Sequence, residues 1–123
     1  MKKILTAFLM LVFSVSFAEP YIAVASDGAK PASAVSETVG KAPYFIIFDE
    51  KGVYMESVPN RFRGTEGAGL AAVGMLKDSG VKVIIARSFP SERFTVFLKS
   101  KDMTGKPFKG SAEDGAKSVI KKK

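Results

Sequence analysis

The chain has no cysteine and no histidine among its 123 residues. Without cysteine there is no disulfide, no thiolate metal site, no thiol nucleophile and no lipoprotein-type lipid anchor. Without histidine it lacks the commonest general base and the commonest metal ligand, so Ser-His-Asp catalysis is excluded. Negative charge is scarce: 12 acidic residues stand against 19 basic ones, a formal net charge of +7. There is no internal repeat and no low-complexity block. The one long apolar run, Ile4 to Phe17, is too short for a bilayer, which takes about 20 apolar residues.

That run has a different meaning. Met1-Lys2-Lys3 precedes it, and Ser16-Phe17-Ala18 follows as a small-x-small triplet before Glu19-Pro20. Charged start, short apolar stretch and cleavage triplet together predict a secretory signal peptide over residues 1–18, without the twin arginine of the alternative route. Cleavage after Ala18 leaves one domain, residues 19–123, in the periplasm or outside the cell, with no membrane attachment. Lys2 and Lys3 leave with the leader, so the remaining chain carries +5. That charge is compatible with anionic partners, and Lys121-Lys122-Lys123 reads as a solvated tail.

Tyr21 to Ser26 is a short apolar strand ending at the turn signal Asp27-Gly28. A loop of small residues runs to Ala42. Pro43 to Phe48 is apolar on both faces, as in a central strand. Asp49-Glu50-Lys51-Gly52 is a hairpin turn, and Val53 to Val58 mixes in polar residues, as suits an edge. After Pro59 comes a loop with Arg61 and Arg63. Gly67-Ala68-Gly69 then opens a helix whose inward stripe is predicted as Leu70, Val73 and Leu76, with Gly80 as its stop. Val81 to Ala86 is a buried parallel strand. Pro90 starts a helix with Phe94, Phe97 and Leu98 inward. Lys106 to Lys109 is a short edge strand. Ser111 with Asp114 caps a last helix facing inward through Ala112, Ala116, Val119 and Ile120.

The order β-β-β-α-β-α-β-α, with right-handed crossovers, predicts an α/β domain of three layers. Its mixed five-stranded sheet has order 3-2-1-4-5 and helices on both faces, the ribonuclease-H-like arrangement. Strands one, three, four and five then run the same way. Their C-terminal tips and all helix starts share one rim, next to a topological switch point where open α/β sheets bind ligands. Gathered there are Ser26, Asp27, Gly28, Lys41, Arg61, Arg63, Thr65, Gly67, Gly69, Arg87, Ser88, Lys109 and Ser111. Amides at helix starts, glycines that admit a close approach and guanidinium groups make this an anion-binding cleft.

Other chemistries fit less well. A two-metal nuclease needs several carboxylates at the strand tips. The first strand offers only Asp27, and the fourth ends in Arg87. Gly64-Thr65-Glu66-Gly67-Ala68-Gly69 is neither a phosphate-loop nor a dinucleotide signature. Met55, Met75 and Met103 lie on different elements and read as core filler rather than a copper site. The aromatics sit in apolar strands, not interleaved with lysine, so no specific nucleic-acid partner is expected.

Ile22 to Gly28, then Val35-Ser36-Glu37-Thr38-Val39-Gly40-Lys41-Ala42-Pro43 through Asp49, resemble the opening of the dinitrogenase iron–molybdenum cofactor-binding (NifX-like) domain. Gly67-Ala68-Gly69 and Val81 to Ala86 resemble its second half. The resemblance implies the same ribonuclease-H-like fold. It also implies a non-catalytic domain holding an anionic metal cluster of iron–molybdenum or iron–sulfur type, or its precursor. Where the family commonly reads Ser-Glu-His-Phe-Gly, this chain has Thr38 and Val39 at the histidine and phenylalanine positions. Thr38 therefore joins the candidate site, and the ligand stays open between a small anion and a cluster. A protein–protein accessory module using the Val53–Val58 edge, and a hydrolase with an unfamiliar site, are the alternatives.

Overall fold

A computed structural model of the chain describes residues 18–120. The predicted leader, apart from Ala18, and the terminal lysines lie outside the described residues. Eight elements follow one another: β1 (Ile22–Ser26), β2 (Tyr44–Phe48), β3 (Tyr54–Pro59), α1 (Ala68–Asp78), β4 (Val83–Ala86), α2 (Glu92–Ser100), β5 (Thr104–Pro107) and α3 (Ala112–Ser118). The strands form one mixed sheet of order β3-β2-β1-β4-β5, as expected. β2 runs antiparallel to both β1 and β3, while β4 is parallel to β1 and β5.

The alternation of strand side chains builds two cores. Ala23, Ala25, Phe45, Ile47, Ile84 and Ala86 pack with Ala72, Val73 and Leu76 of α1 and Leu98 of α2. Ile22, Val24, Ile46, Phe48 and Ile85 face the other way, against Ala112 and Ala116 of α3. Every residue of β1 is buried, because the strand is central and covered on both faces. Small residues let α3 come close: a Cβ on Gly115 would stand 3.1 Å from the Phe108 ring. Met103 is buried, and Met55 and Met75 pack on the same core as Phe45.

Several local expectations need correction; α2, for one, starts at Glu92 with Ser91 as its N-cap rather than at Pro90. Leu70 is 45% exposed, and the buried stripe of α1 is Ala68, Ala72, Val73 and Leu76. At about 100° per residue, Leu70 lies roughly 200° around the helix from Ala72, on the far side. β5 is Thr104–Pro107 rather than 106–109; Pro107 pairs opposite Ala86, and Phe108, whose amide still donates to the Ala86 carbonyl (2.9 Å), packs its ring on the second core. β3 is offset by one residue, with its register shift opposite Ile47 and Phe48. Val53 and Tyr54 at the start of this outer strand are exposed. Among the described residues, no helix is long and apolar enough to cross a membrane.

Candidate ligand pocket

The strand directions bring the tips of β1, β3, β4 and β5 to one edge, together with the loops that follow them. A strap from the loop after β1 crosses this edge. The Ser36 amide donates to the Ala25 carbonyl (2.7 Å), and the Val35 amide to that of Gly110 (2.8 Å). The Arg87 and Ser88 amides donate in turn to the carbonyls of Ser36 (2.9 Å) and Glu37 (3.0 Å). The expected single rim is thereby divided into two depressions, and the neighbours Arg87 and Ser88 line different ones.

The larger of the two, about 620 Å³, lies between the starts of α1 and α2 and the Thr38–Lys41 turn. It brings together Thr38, Lys41, Gly67, Gly69 and Ser88 of the candidate residues, with Thr65 beside them. The smaller, about 370 Å³, holds Asp27 and Arg87, with Lys109 and Ser111. Ser26, Gly28, Arg61 and Arg63 line neither. Ser26 is buried, and its hydroxyl donates to the Gly28 carbonyl (2.7 Å), shaping the turn. Arg61 and Arg63 are exposed on the loop before α1, with the Arg61 guanidinium 5.9 Å from the Phe62 ring centre. A third depression, about 670 Å³ and lined by Glu19, Asp49, Glu50, Lys51 and Lys82 among others, mixes charges of both signs.

The helix starts are not equivalent. The first turn of α3 is consumed internally: Ala112 and Glu113 donate to the carbonyls of Ser33 and Pro31, and Asp114 to the Ser111 hydroxyl. α2 is capped by the Ser91 hydroxyl, which accepts from Phe94. α1 has no side-chain cap; its N-cap, Gly67, takes the left-handed conformation at φ 73°. Among the described residues, the large pocket therefore opens onto the one helix start left without a side-chain cap.

Its walls are mostly apolar. Val39, Leu70, Phe89, Pro90 and Phe94 line it. The Phe89 and Phe94 rings stack with centroids 6.2 Å apart and planes inclined by 25°. Among the described residues, Lys41 and Arg93 are the only ionisable ones that line it, and no carboxylate does. Leu70, Arg93 and the phenylalanine pair are additions to the candidate set. In the sequence Leu70 and Phe94 read as inward positions of their helices, and Phe89 and Arg93 carried no signal. Asn60, buried outside the pocket, ties two walls together. Its amide nitrogen donates to the Ala42 carbonyl (2.9 Å), and its side-chain oxygen accepts from the Phe62 amide (3.0 Å).

Against protein families, residues 20–122 match the family described as dinitrogenase iron-molybdenum cofactor. The chain belongs to that family. No curated protein matches this family member. Among solved structures it is similar to a NifB-like protein from Thermotoga, described as belonging to the DUF35 family. The two are 27% identical at a TM-score of 0.66, over 83% of this chain and 86% of that one. It is similar also to the apo orange protein of Desulfovibrio gigas, at 20% identity and a TM-score of 0.69, over 84% and 88% of the two chains. The latter likeness concerns the fold alone.

The donor set of this family member can be tested against the cofactor in the family's description. Iron and molybdenum centres are held by thiolate, imidazole or carboxylate donors. The pocket has none of these, and no cluster of three such residues occurs among the described residues. The residues present do not fit a metal centre held by direct coordination.

Proposed function

We infer that this family member is an exported, non-catalytic binding protein whose anionic ligand occupies the 620 Å³ pocket. One observation carries the reading: among the described residues, Lys41 and Arg93 line the pocket and no acid does. An anion there meets two exposed cations without repulsion from an acid, beside a mostly apolar wall. Thr38, Gly67, Gly69 and Ser88 border the ligand, and Asp27 and Arg87 attend the separate smaller depression. Family membership supports a carrier or accessory role. A cluster as cargo would be held through its periphery by these cations, not through protein–metal bonds. The ribonuclease-H-like likeness rests on strand order and layering.

Thermal unfolding with sulfate, phosphate, molybdate and tetrathiomolybdate tests the site. At least one should raise the melting temperature of the wild type and not of a Lys41→Gln/Arg93→Gln double variant. No rise with any anion would remove the reading. Export is tested separately: protein recovered outside the cytoplasm should begin at Glu19, and retention of the full chain inside the cell would overturn that part.

A further inference from the structure

We propose that the pocket takes an organic anion, an acidic head on an aromatic or branched apolar body, rather than a metal cluster or a bare oxyanion. This deepens the anion-site reading and rests on it. Three observations lead here. First, Leu70 is 45% exposed although it is a large apolar side chain, and it stands on the pocket wall. A residue of this kind is covered when an apolar ligand arrives. Second, Phe89 and Phe94 stack beside it and present ring surface to the same space. Phe89 is seated by Gly105, where a Cβ would come within 3.0 Å of its ring, so this wall is held by the sheet rather than by a loose loop. Third, the cations and the apolar wall belong to one cavity of a size usual for small organic ligands, roughly 300–1,000 Å³.

A compact oxyanion would satisfy Lys41 and Arg93 but leave the apolar wall wet. A metal cluster, held only by contacts of its periphery with those two cations because the lining offers its metal ions no donor, would likewise make no use of the aromatic wall. An aromatic carboxylate or sulfonate satisfies both halves: its ring lies against Phe94 and Leu70, and its head reaches the cations.

The experiment is a titration of the mature chain followed by amide resonances, with 2-naphthalenesulfonate, sulfate and tetrathiomolybdate as probes. The naphthalenesulfonate should shift the amides of Val39, Gly40, Leu70 and Phe94 and bind about tenfold more tightly than sulfate. Phe94→Ala should weaken it about tenfold and leave sulfate unchanged. Leu70→Asp, at a half-exposed position outside the buried stripe of α1, should abolish it. If sulfate or tetrathiomolybdate binds as tightly and neither substitution matters, the organic-anion proposal is wrong while the anion site stands. If no probe moves the pocket amides, both fail.

Discussion

Gly40 lies against the backbone of Gly69: a side-chain carbon on Gly40 would stand 3.0 Å from the Gly69 amide nitrogen. The contact joins the Thr38–Lys41 turn to the start of α1, so the two sides of the large pocket are held at a fixed spacing. Gly40→Ala pushes backbone against backbone, with no flexible side chain to yield. It should destabilise the fold by about 1–3 kcal/mol. Urea unfolding measures this, and an unchanged midpoint would show that the turn relaxes freely. Gly69→Ala meets the edge of the Phe94 ring at 3.2 Å instead and should cost less, while displacing that ring.

Asn60 acts on the pocket without lining it. Its side chain bridges the Ala42 carbonyl and the Phe62 amide, and it is buried. Asn60→Ala leaves those groups unpaired, at a cost of about 1–3 kcal/mol. Anion affinity should fall as well, because the Lys41 turn loses its anchor. Full affinity in a destabilised variant would separate Asn60 from the site.

Lys41 and Arg93 should behave alike, and Arg87 differently. Each of Lys41→Gln and Arg93→Gln removes one exposed charge and should weaken sulfate about two- to fivefold, as exposed pairs do. The loss should shrink at high ionic strength, where such charges are screened. Arg87→Gln should leave this affinity unchanged, because Arg87 lines the smaller depression. Calorimetric titration at two salt concentrations decides it; a loss at Arg87 equal to that at Lys41 would mean that both depressions serve one ligand.

At Gly67 the constraint is conformational. Its φ is +73°, and nothing lies within 4 Å of where a Cβ would be. Gly67→Ala should therefore cost about 1 kcal/mol through backbone strain alone, and Gly67→Asn less, since asparagine tolerates the left-handed region better. Equal stability of the alanine and glycine forms would mean that the loop before α1 adopts another conformation at little cost.

Much of the sheet is legible in the chain. Tyr44 to Phe48 is apolar at every position, which only a strand covered on both faces can use. Gly52, Gly67, Gly80 and Gly110 all have positive φ and mark turns or helix ends. Leu70 was misleading because its spacing from Val73 and Leu76 suits a helical stripe, yet the buried stripe is centred on Ala72 and Val73. Small residues there let the helix approach the sheet, and hydropathy alone cannot rank an alanine above a leucine. Arg93 was not visible as a site residue, since it meets Lys41 only across two helices and a turn remote in sequence.

Composition by itself determined that this chain offers no thiolate and no imidazole to a metal, and local patterning determined a sheet whose strand tips share one edge. Only the tertiary structure decided that residues 35–38 cross that edge and part Arg87 from Ser88. The physical reason is that the strap is held by backbone hydrogen bonds to the Ala25 carbonyl, the Gly110 carbonyl and the amides after β4. Such bonds use groups common to nearly every residue, so they leave no side-chain signature to read in advance.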